Sequence, residues 1–356
     1  MSLPATMRAV LLTGNGGLDR LQLRDDVPVP PPGPGEVLVR VGAAGVNNTD
    51  INTRIGWYSK AVAEATEVGG AAGIAGAEDD GWSGTAFTFP RIQGADACGR
   101  IVAVGDGVDP ARIGERVLVE PVFRGSSRFD ALYFGSEVDG AFADFALVPS
   151  VHAHQIECDL TDAELASFPC AYSAAENMLA RIGLAAGERV LITGASGGVG
   201  SAAVQLARRR GAHVTAMAGA DKADAVRALG ADQVIPRDAD LAALFGDEAF
   251  DAAIDVVGGG QFAAILATLK RGGRYGVAGA ISGPMVDLDL RTLYLKDLRL
   301  LGCTILDECV FAKLIGYIER GEIRPLVAAT YPLGDIVAAQ EAFLTKRHVG
   351  KIVLTL

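Results

Sequence analysis

The alternation of strand-like and helix-like segments between residues 189 and 277 restricts the fold more than any other feature of the sequence. Short apolar runs (RVLITG, HVTAMAG, ADQVIP, FDAAIDVVG and RYGVAGA) are separated by helix-like runs such as GGVGSAAVQLARRRG and ADKADAVRALG. Apolar strands that are joined through helices form a parallel sheet covered on both faces, with right-handed crossovers. The sequence therefore predicts an α/β fold with a doubly wound parallel sheet.

The residues before and after this region have a different pattern, in which strand-like runs do not alternate regularly with helix-like runs. RAVLLT, EVLVRVGAAGV, GRIVAVG and GAFADFALVP are typical of strands separated by turns, and the final HVGKIVLTL returns to this mixed pattern. A chain of 356 residues is also long enough for two domains. We predict a mixed β domain made of residues 1–158 and 301–356, with a parallel-sheet domain at residues 159–300 inserted between its two pieces.

Charge and cysteine content exclude several classes of protein. The formal net charge of −11 argues against nucleic acid or an anionic membrane as a partner. No apolar run approaches the roughly 18–20 residues of a membrane span, and the N-terminal MSLPATMRAV lacks the apolar core of a secretory signal, so a cytoplasmic protein is expected. The five cysteines are scattered without a CxxC pair, which disfavours a disulfide scaffold and a four-cysteine zinc lobe.

A glycine-rich turn follows the first strand of the parallel-sheet region. Small residues allow a tight turn there, Gly197 lets the backbone approach a pyrophosphate, and Gly200 lets helix and strand pack closely. Such a turn can be merely structural, but its position among repeated βαβ units favours a nucleotide bound at the N-terminus of the following helix. The predicted loop consists of Ala195, Ser196, Gly197, Gly198, Val199 and Gly200.

The end of the second strand indicates which nicotinamide cofactor is preferred. An acidic residue there would hold the ribose 2′-hydroxyl of NAD, but residues 215–220, which include Gly219, contain none. Lys222 and Arg237 follow, and cations suit the 2′-phosphate of NADP. Asp221 complicates this assignment, and the alternative is that both cations are solvated surface charges. We predict NADP(H), with further cofactor contacts at the ends of later strands from Val257, Ala278 and Gly279.

Seven motifs follow one another along nearly the whole chain: VPVPPPGPGEVLVRVGAAGVN, GADACGRIVAVGDGV, GERVL, GAFADFALVP, ITGASGGVG, LGAD and GKIVL. This set resembles the medium-chain dehydrogenase/reductase superfamily, in its zinc-independent quinone oxidoreductase and enoyl reductase-like branch. The resemblance implies a split GroES-like catalytic domain, a Rossmann domain and a cofactor in the cleft between them. It also implies a homodimer formed by edge strands of two Rossmann sheets, here through LRLLGCTI. In this family the positions of Lys222 and Arg237 resemble those that contact a 2′-phosphate.

The zinc ligands of the alcohol dehydrogenases in this superfamily are mostly replaced here. The first cysteine position is Asn47, in GVNNTD, and the histidine position is Ala95, in GAD. Only the third position keeps a cysteine, Cys170, and one thiolate cannot hold a catalytic zinc that needs three protein ligands. Asp96 and Cys98 lie near enough in sequence for an improvised site, but we predict no metal and interpret Cys170 as a buried small apolar residue.

Without a metal, hydride transfer suits an acceptor that delocalises negative charge, such as a quinone or an α,β-unsaturated carbonyl or thioester. The resemblance places Tyr58 in the active site as a proton donor and Asn47 as an amide donor near the nicotinamide or the substrate oxygen. A phenol is largely protonated at neutral pH, which suits that role. The alternatives are that Tyr58 is a rim aromatic and that Asn47 only forms a turn.

The predicted function is therefore an NADPH-dependent, zinc-independent reductase acting on a small-molecule quinone or activated alkene. An alcohol dehydrogenase with an atypical zinc site is one alternative, and an NADPH-binding structural or sensing protein with little turnover is another. Two further expectations concern local structure. The segment 61–90 is an excursion that could cap the substrate pocket, with Trp57 and Trp82 among the lining residues, and His152 and His154 are expected at the surface.

Overall fold

The computed structural model describes residues 3–66, 73, 81–84, 86–127 and 129–356. Much of the 61–90 excursion therefore lies outside the described residues. The strands are β1 Thr6–Leu12, β2 Leu21–Pro28, β3 Glu36–Val46, β4 Arg91–Ile92, β5 Cys98–Val104, β6 Arg116–Val119, β7 Val122–Arg124, β8 Ala131–Tyr133, β9 Phe145–Pro149, β10 Ala153–Gln155, β11 Arg189–Ile192, β12 His213–Ala218, β13 Gln233–Pro236, β14 Phe250–Asp255, β15 Leu269–Val277, β16 Arg299–Gly302, β17 Val327–Pro332 and β18 Lys351–Thr355. The helices are α1 Asn48–Ile55, α2 Asp162–Leu165, α3 Pro169–Arg181, α4 Gly198–Arg209, α5 Ala223–Ala228, α6 Leu241–Phe245, α7 Phe262–Thr268, α8 Leu290–Leu295, α9 Val310–Glu319 and α10 Ile336–Leu344.

Strands β11 to β16 form one parallel sheet in the order β13-β12-β11-β14-β15-β16. The order reverses at β11, where the chain runs on one side to β12 and on the other to β14. Ligands bind in such sheets beyond the carboxyl ends of the strands at the point of reversal. The glycine-rich turn leaves β11 at this point, and the predicted doubly wound sheet is confirmed.

The second domain contains a sheet in the order β10-β6-β5-β3-β18-β17, with β9 also pairing with β3. Its central contact joins distant parts of the chain, because β18 pairs antiparallel with β3 in a register that sets Ile352 opposite Val46. Lys351, the first residue of β18, is thereby brought beside the residues that follow β3. The predicted mixed β domain, split by the parallel-sheet domain, is present.

The return from one domain to the other occurs after β16. This strand pairs in parallel with β15, and Val310, Phe311 and Leu314 of α9 pack in the same apolar core as Val190 of β11. The sequence-based boundary between residues 300 and 301 falls inside β16. We therefore propose a later boundary, between α9 and β17.

Helix α1 leads from β3 into the cleft between the domains. The backbone N–H of Asn47 donates to Asp50 Oδ2 at 2.7 Å, and the N–H of Gly94 donates to Asp50 Oδ1 at 3.2 Å. An acidic residue three positions after the N-cap thus satisfies a donor that the helix itself leaves open. The helix ends at Gly56, which has a left-handed backbone conformation with φ of 77°. Tyr58 follows two residues later, and its hydroxyl donates to Thr49 Oγ1 in the first turn of α1 at 3.3 Å.

Glu120, just after β6, is fully buried and is held by three cationic or imidazole side chains. The Nδ1 of His152 and the Nε2 of His154 each lie 3.1 Å from Glu120 Oε2, and Arg124 pairs with the same carboxylate. His152 is only 4% exposed, so the expectation that it lies at the surface is wrong. The reason is that a buried carboxylate requires hydrogen-bond donors, and this one takes them from the two imidazoles.

No helix among the described residues is long and apolar enough to cross a membrane.

Candidate active site

A cavity of about 240 Å³ lies where the two domains meet. The mixed β domain contributes Asn47, Tyr58 and Tyr133 to its lining, and the parallel-sheet domain contributes the glycine-rich turn and Ala278. A second cavity of about 630 Å³ adjoins the outer side of the same turn. Both cavities share Gly194 and Gly197, so the turn separates an inner compartment from an outer one.

The glycine-rich turn has the geometry that the sequence predicts. Gly194 adopts a left-handed conformation with φ of 58°, and Gly197 is the N-cap of α4. A Cβ atom on Gly200 would overlap the carbonyl oxygen of Gly194, so only glycine allows the helix to approach the turn this closely. Gly198, Val199 and Gly200 at the start of α4 line the inner cavity, and the first N–H groups of a helix have no partner within it, so an anionic group could accept their hydrogen bonds.

The structure places eleven of the twelve predicted cofactor residues at one cavity or the other. Ala195 is the exception, since it is fully buried and its backbone N–H donates to Met217 O at 3.1 Å. Ala195 therefore holds the turn in place and does not line a cavity. The inner cavity is lined by Gly197, Gly198, Val199, Gly200, Ala278 and Gly279, and the outer cavity by Ser196, Gly197, Gly219, Lys222, Arg237 and Val257.

The outer cavity has more cationic residues than the sequence analysis identified. Lys222 and Arg237 line it as predicted, and so do Lys346 and Arg347 from the segment after α10. Lys222 donates to the carbonyl oxygen of Lys346, which ties this segment to the parallel-sheet domain. One carboxylate, that of Asp221, also lines the cavity. Four cationic side chains against one carboxylate make this compartment suitable for an anionic group such as a phosphate.

His348 completes the same segment without adding charge at neutral pH. Burial lowers the pKa of this imidazole, and the nearby Lys346, Lys222 and Lys351 lower it further, to about 4. The ring packs against Phe343 with their centroids 5.4 Å apart. The tripeptide KRH, two residues before the last strand, was the available signal for this cluster, but nothing local links it to a nucleotide site.

Asn47 lies in a corner of the inner cavity with two ionic partners. Its Nδ2 donates to Asp96 Oδ2 at 2.9 Å and approaches Gly45 O at 3.3 Å. Its Oδ1 accepts a hydrogen bond from Lys351 Nζ, which also lies 2.7 Å from Asp96 Oδ2. Both ends of the Asn47 amide are thus engaged within the protein, and the corner contains a buried ion pair that the sequence analysis did not identify.

Cys170 is held in the thiol form beside this corner. Burial, and then the neighbouring Asp96 carboxylate, raise the pKa of the Cys170 thiol to about 12. The Sγ atom lies 3.0 Å from the hydroxyl oxygen of Tyr133, and the Cys170 N–H donates to Asp96 Oδ1 at 2.6 Å.

Asp50 is the second carboxylate of this region. Burial raises the pKa of Asp50 to about 7, although the N–H groups of Asn47 and Gly94 and the charge of Lys351 act in the opposite direction. Its carboxylate is turned toward the first turn of α1 and is not among the groups that line the cavity.

Two phenols converge on the inner cavity. Tyr58 donates to Thr49 Oγ1 at 3.3 Å, and burial raises the pKa of its hydroxyl above the ordinary value. Burial and then Cys170 raise the pKa of Tyr133 well above its ordinary value. Trp82 packs on Tyr133 with ring centroids 4.8 Å apart, and Trp57 meets Tyr58 edge to face at 5.7 Å. Both phenols are protonated at neutral pH and line a space bounded by aromatic rings.

The start of the 61–90 excursion bridges the two domains. The backbone N–H of Thr66 donates to Ile281 O at 3.2 Å, and Thr66, Trp57 and Trp82 all line the inner cavity. Thr66 and Trp82 of this segment thus form part of the cavity wall, and residues 67–72, 74–80 and 85 lie outside the described part of the chain.

The corner does not suit a zinc ion. Of its three candidate positions, Ala95 has no ligand atom and the amide of Asn47 is already engaged, so Cys170 is the one position that carries a zinc ligand. The Lys351 ammonium adds a positive charge at the place where a cation would have to enter. In the part of the chain that the structure describes, no group of three His, Cys, Asp or Glu side chains is placed to hold a metal.

Comparisons with known proteins agree with this architecture. Residues 33–158 match the family described as alcohol dehydrogenase GroES-like domain, and residues 198–320 match the family described as zinc-binding dehydrogenase. The chain is 28% identical over 367 residues to the acryloyl-coenzyme A reductase of Metallosphaera sedula, covering 98% of this chain and 100% of the relative. It is 29% identical over 364 residues to the quinone oxidoreductase of Rattus norvegicus, covering 98% of each.

Solved structures extend the similarity to the whole chain. A protein of Sinorhizobium meliloti 1021, described provisionally as an alcohol dehydrogenase, is 47% identical with a TM-score of 0.89, covering 99% of this chain and 97% of that one. The mycobacterial Rv1454c, solved in complex with NADPH, is 27% identical with a TM-score of 0.78, covering 98% of this chain and 100% of that one. The two domains, the cleft between them and these relatives together show that the chain is an oxidoreductase of the medium-chain dehydrogenase/reductase superfamily and belongs to its quinone oxidoreductase-like branch.

Proposed function

We propose that the protein is an NADPH-dependent, zinc-independent reductase that transfers hydride to a quinone or to an α,β-unsaturated carbonyl or thioester. The observation that carries this proposal is the composition of the cleft. A glycine-rich turn and a cationic compartment adjoin an aromatic cavity whose metal corner holds Asn47, Ala95 and a Cys170 thiol. The names of the quinone oxidoreductase and acryloyl-coenzyme A reductase relatives point to the same two acceptor classes.

The cofactor fits the two compartments on either side of the turn. NADPH supplies the hydride from its nicotinamide when bound. Lys222 and Arg237, with Lys346 and Arg347, offer positive charge for the 2′-phosphate in the outer cavity. Gly197 and Gly198 at the start of α4 offer backbone N–H groups for the pyrophosphate. The mycobacterial relative solved with NADPH supports the same choice of cofactor.

The acceptor classes follow from the charge that hydride delivery creates. Adding hydride to a quinone or an enone places negative charge on an oxygen, and donors fixed in a low-dielectric cavity stabilise such charge. Reduction of an unactivated ketone leaves the full charge on one alkoxide oxygen, which a bound metal ion can stabilise, and the corner does not suit zinc. An aromatic cavity lined by Trp57, Trp82 and Tyr133 also fits a flat, conjugated acceptor.

Tyr58 is the proposed proton donor. It lines the cavity and is protonated at neutral pH, and its hydroxyl lies within hydrogen-bonding distance of Thr49, which also lines the cavity. Tyr133 is the second phenol with these properties, and the structure adds it to the candidate that the sequence identified. The proton would reach the α-carbon of an enone or an oxygen of a quinone.

One assay series tests this function. Purified protein is given NADPH or NADH with 1,4-benzoquinone, 9,10-phenanthrenequinone, methyl vinyl ketone and crotonyl-coenzyme A, and oxidation of the cofactor is followed by absorbance. Turnover of at least one acceptor with preference for NADPH supports the proposal. Stoichiometric zinc together with NADP⁺-dependent oxidation of a simple alcohol would favour the atypical alcohol dehydrogenase. Tight NADPH binding without turnover would favour a structural or sensing role.

We also propose a homodimer through the edge of the parallel sheet. Among the described residues β16 pairs with β15 alone, Leu300 on it is 37% exposed, and α8 beside it exposes Leu290, Tyr294 and Leu295 by 64%, 61% and 58%. An unpaired edge strand flanked by exposed apolar side chains favours pairing with a second copy. Sedimentation velocity of the wild type and of Leu300→Lys tests the dimer.

We also propose a cytoplasmic location, which the five free cysteine thiols support.

A further inference from the structure

Lys351 lies between the glycine-rich turn and the corner of the inner cavity that contains Asn47, Asp96 and Cys170. The N–H of Gly350 donates to Ser196 O at 3.1 Å, which fixes the start of β18 against the turn. A Cβ atom on Gly198 would lie 3.1 Å from Lys351 Cδ, so the lysine stem packs directly beneath the N-terminus of α4. The side chain therefore runs from the pyrophosphate end of the cleft to the corner where an acceptor would bind.

The ammonium of Lys351 is buried, and two protein atoms hold it. Its side chain is only 4% exposed, and Nζ contacts Asp96 Oδ2 at 2.7 Å and donates to Asn47 Oδ1. An ammonium has three N–H donors, and these contacts use two of them. The structure gives no third acceptor among the described residues, and the side chain lines the inner cavity. Lys351 thus has one N–H without a partner among the described residues and belongs to the lining of that cavity, together with Asn47 and Cys170.

The partners of Lys351 are themselves held in place. Asp96 is fully buried and accepts hydrogen bonds from the Cys170 N–H at 2.6 Å and from Asn47 Nδ2 at 2.9 Å, besides its contact with Lys351. Asn47 is in turn the N-cap of α1. The ammonium is thus oriented by an aspartate and an amide on separate elements. A donor held this rigidly needs little reorganisation when charge develops beside it.

We propose that Lys351 is a catalytic residue whose third N–H binds the carbonyl oxygen of the acceptor, with Asp96 and Asn47 as positioning residues. This inference rests on the proposed function and assigns the group that takes the place of a metal ion at the corner. Asn47 has no uncommitted donor, so the amide role that the sequence predicted passes to the ammonium.

The electron balance of the step is the following. Hydride from the bound cofactor forms a C–H bond at the β-carbon of an enone or enoyl thioester. The π pair of the C=C bond moves to form the enolate, with the negative charge on the carbonyl oxygen. Lys351 hydrogen-bonds that oxygen and keeps its own proton. The α-carbon then takes a proton from Tyr58 or from water, and the oxygen becomes a carbonyl again. With a quinone, the charge lies on a phenolate oxygen, which is protonated directly.

A purely structural ion pair would not require these features. Buried ion pairs contribute little net stability compared with apolar replacements, so stability alone is a weak reason for a lysine here. A structural lysine also does not need an uncommitted donor at the wall of a cavity. The two interpretations differ in what substitution does to the chemical step.

The first experiment compares Lys351→Met, Lys351→Arg and Lys296→Met. Methionine keeps an apolar stem without the donor, and arginine keeps the charge. Lys296 is the matched control, because it donates to Ala267 O and Leu269 O away from the cleft. Single-turnover hydride transfer to methyl vinyl ketone or 1,4-benzoquinone is measured by stopped flow, and NADPH affinity by fluorescence titration.

Loss of one oxyanion donor costs about 10²–10³ in rate, so Lys351→Met should slow hydride transfer by about 100-fold. NADPH affinity and melting temperature should stay close to those of the wild type, Lys351→Arg should recover part of the rate, and Lys296→Met should match the wild type. Unchanged hydride transfer in Lys351→Met would overturn the assignment. A rate loss that simply follows loss of NADPH binding or of folding would do the same.

The second experiment does not depend on turnover. 4-Nitrophenol, whose anion resembles an enolate or phenolate, is titrated with pH in the presence of the protein and NADP⁺, and its ionisation is read from the absorbance spectrum. A bound ammonium should lower the apparent pKa of the ligand in the wild type and Lys296→Met but not in Lys351→Met. An equal pKa in all three proteins would overturn the proposal. If the shift is present and no acceptor is reduced, the proposed reaction fails while the oxyanion site stands.

Discussion

The hydroxyl oxygen of Tyr133 lies 3.0 Å from Sγ of Cys170, so this phenol is held against the thiol wall of the cavity. Tyr58 instead contacts Thr49 at the start of α1. The two phenols therefore occupy different walls, and their substitution should have different effects.

Tyr58→Phe should lower kcat by about 100-fold with quinones or enones, because general acid catalysis contributes about 10²–10⁴ in rate. Tyr133→Phe keeps the ring that packs on Trp82 and removes only the hydroxyl beside Cys170, so kcat and KM should stay close to the wild-type values. Steady-state kinetics and solvent isotope effects separate the two. A full kcat in Tyr58→Phe combined with a reduced kcat in Tyr133→Phe would assign the proton to Tyr133.

The cationic compartment predicts cofactor selectivity. Lys222→Ala and Arg237→Ala should each raise the NADPH dissociation constant by about tenfold, because a hydrogen bond to a charged group contributes about 1.5–3 kcal/mol. NADH lacks the 2′-phosphate, so its affinity should change little. Arg227→Ala is the control, since Arg227 is half exposed and pairs with Asp224 at the surface. Equal losses for NADPH and NADH would show that these residues do not recognise the phosphate.

The glycine-rich turn could be predicted because the residues that form it are close together in the sequence. The strand, the turn and the first helical residues lie within about one βαβ unit. The Lys351 contact could not be predicted in this way. It joins residues 304 positions apart, and only the pairing of β18 with β3 brings them together. His152 was placed at the surface because a strand pattern does not reveal that a buried Glu120 requires its Nδ1. Lys346 and Arg347 were missed for the same reason as Lys351, since their site forms between distant segments.

The Glu120 cluster predicts an acid limit to stability. Burial raises the pKa of Glu120, but hydrogen bonds from His152, His154 and Arg124 outweigh it and lower the pKa to about 2, from an ordinary value of 4.5. A carboxyl group with a depressed folded-state pKa stabilises the fold above its unfolded pKa and loses that contribution as pH falls. The free energy of unfolding should therefore decline between pH 4.5 and 2.

Glu120→Gln should remove that dependence and should also lower the free energy of unfolding at pH 7 by about 3 kcal/mol, because it leaves Arg124 without its buried partner. Urea unfolding at a series of pH values measures both effects. Glu157→Gln is a control at an exposed carboxylate of the same domain. An unaltered acid slope in Glu120→Gln would mean that another carboxylate controls acid unfolding.

The corner around Cys170 predicts insensitivity to metal removal. Dialysis against 1,10-phenanthroline should leave NADPH oxidation within about twofold of the untreated rate, because a catalytic zinc needs three protein ligands and the corner offers one, Cys170. Cys170→Ala should retain most activity for the same reason. Elemental analysis of the purified protein is the direct check. Loss of activity on chelation, recovered with zinc, would contradict the prediction.

The close approach of Gly200 to Gly194 in the glycine-rich turn provides a test of the proposed cofactor site. A Cβ on Gly200 would overlap the carbonyl oxygen of Gly194, which is backbone and cannot move away like a flexible side chain. Gly200→Ala should therefore push α4 away from the turn and weaken NADPH binding by at least about 30-fold, since a shift of this kind disrupts several phosphate contacts at once. Gly260→Ala is the matched control, because a Cβ there would meet nothing within 4 Å and its φ is not positive. That control should change the free energy of unfolding by no more than about 0.5 kcal/mol.

Both variants are titrated with NADPH, and binding is measured by tryptophan fluorescence. Thermal unfolding of the same variants separates loss of the site from loss of the fold. Wild-type affinity in Gly200→Ala would show that the cofactor does not depend on this turn.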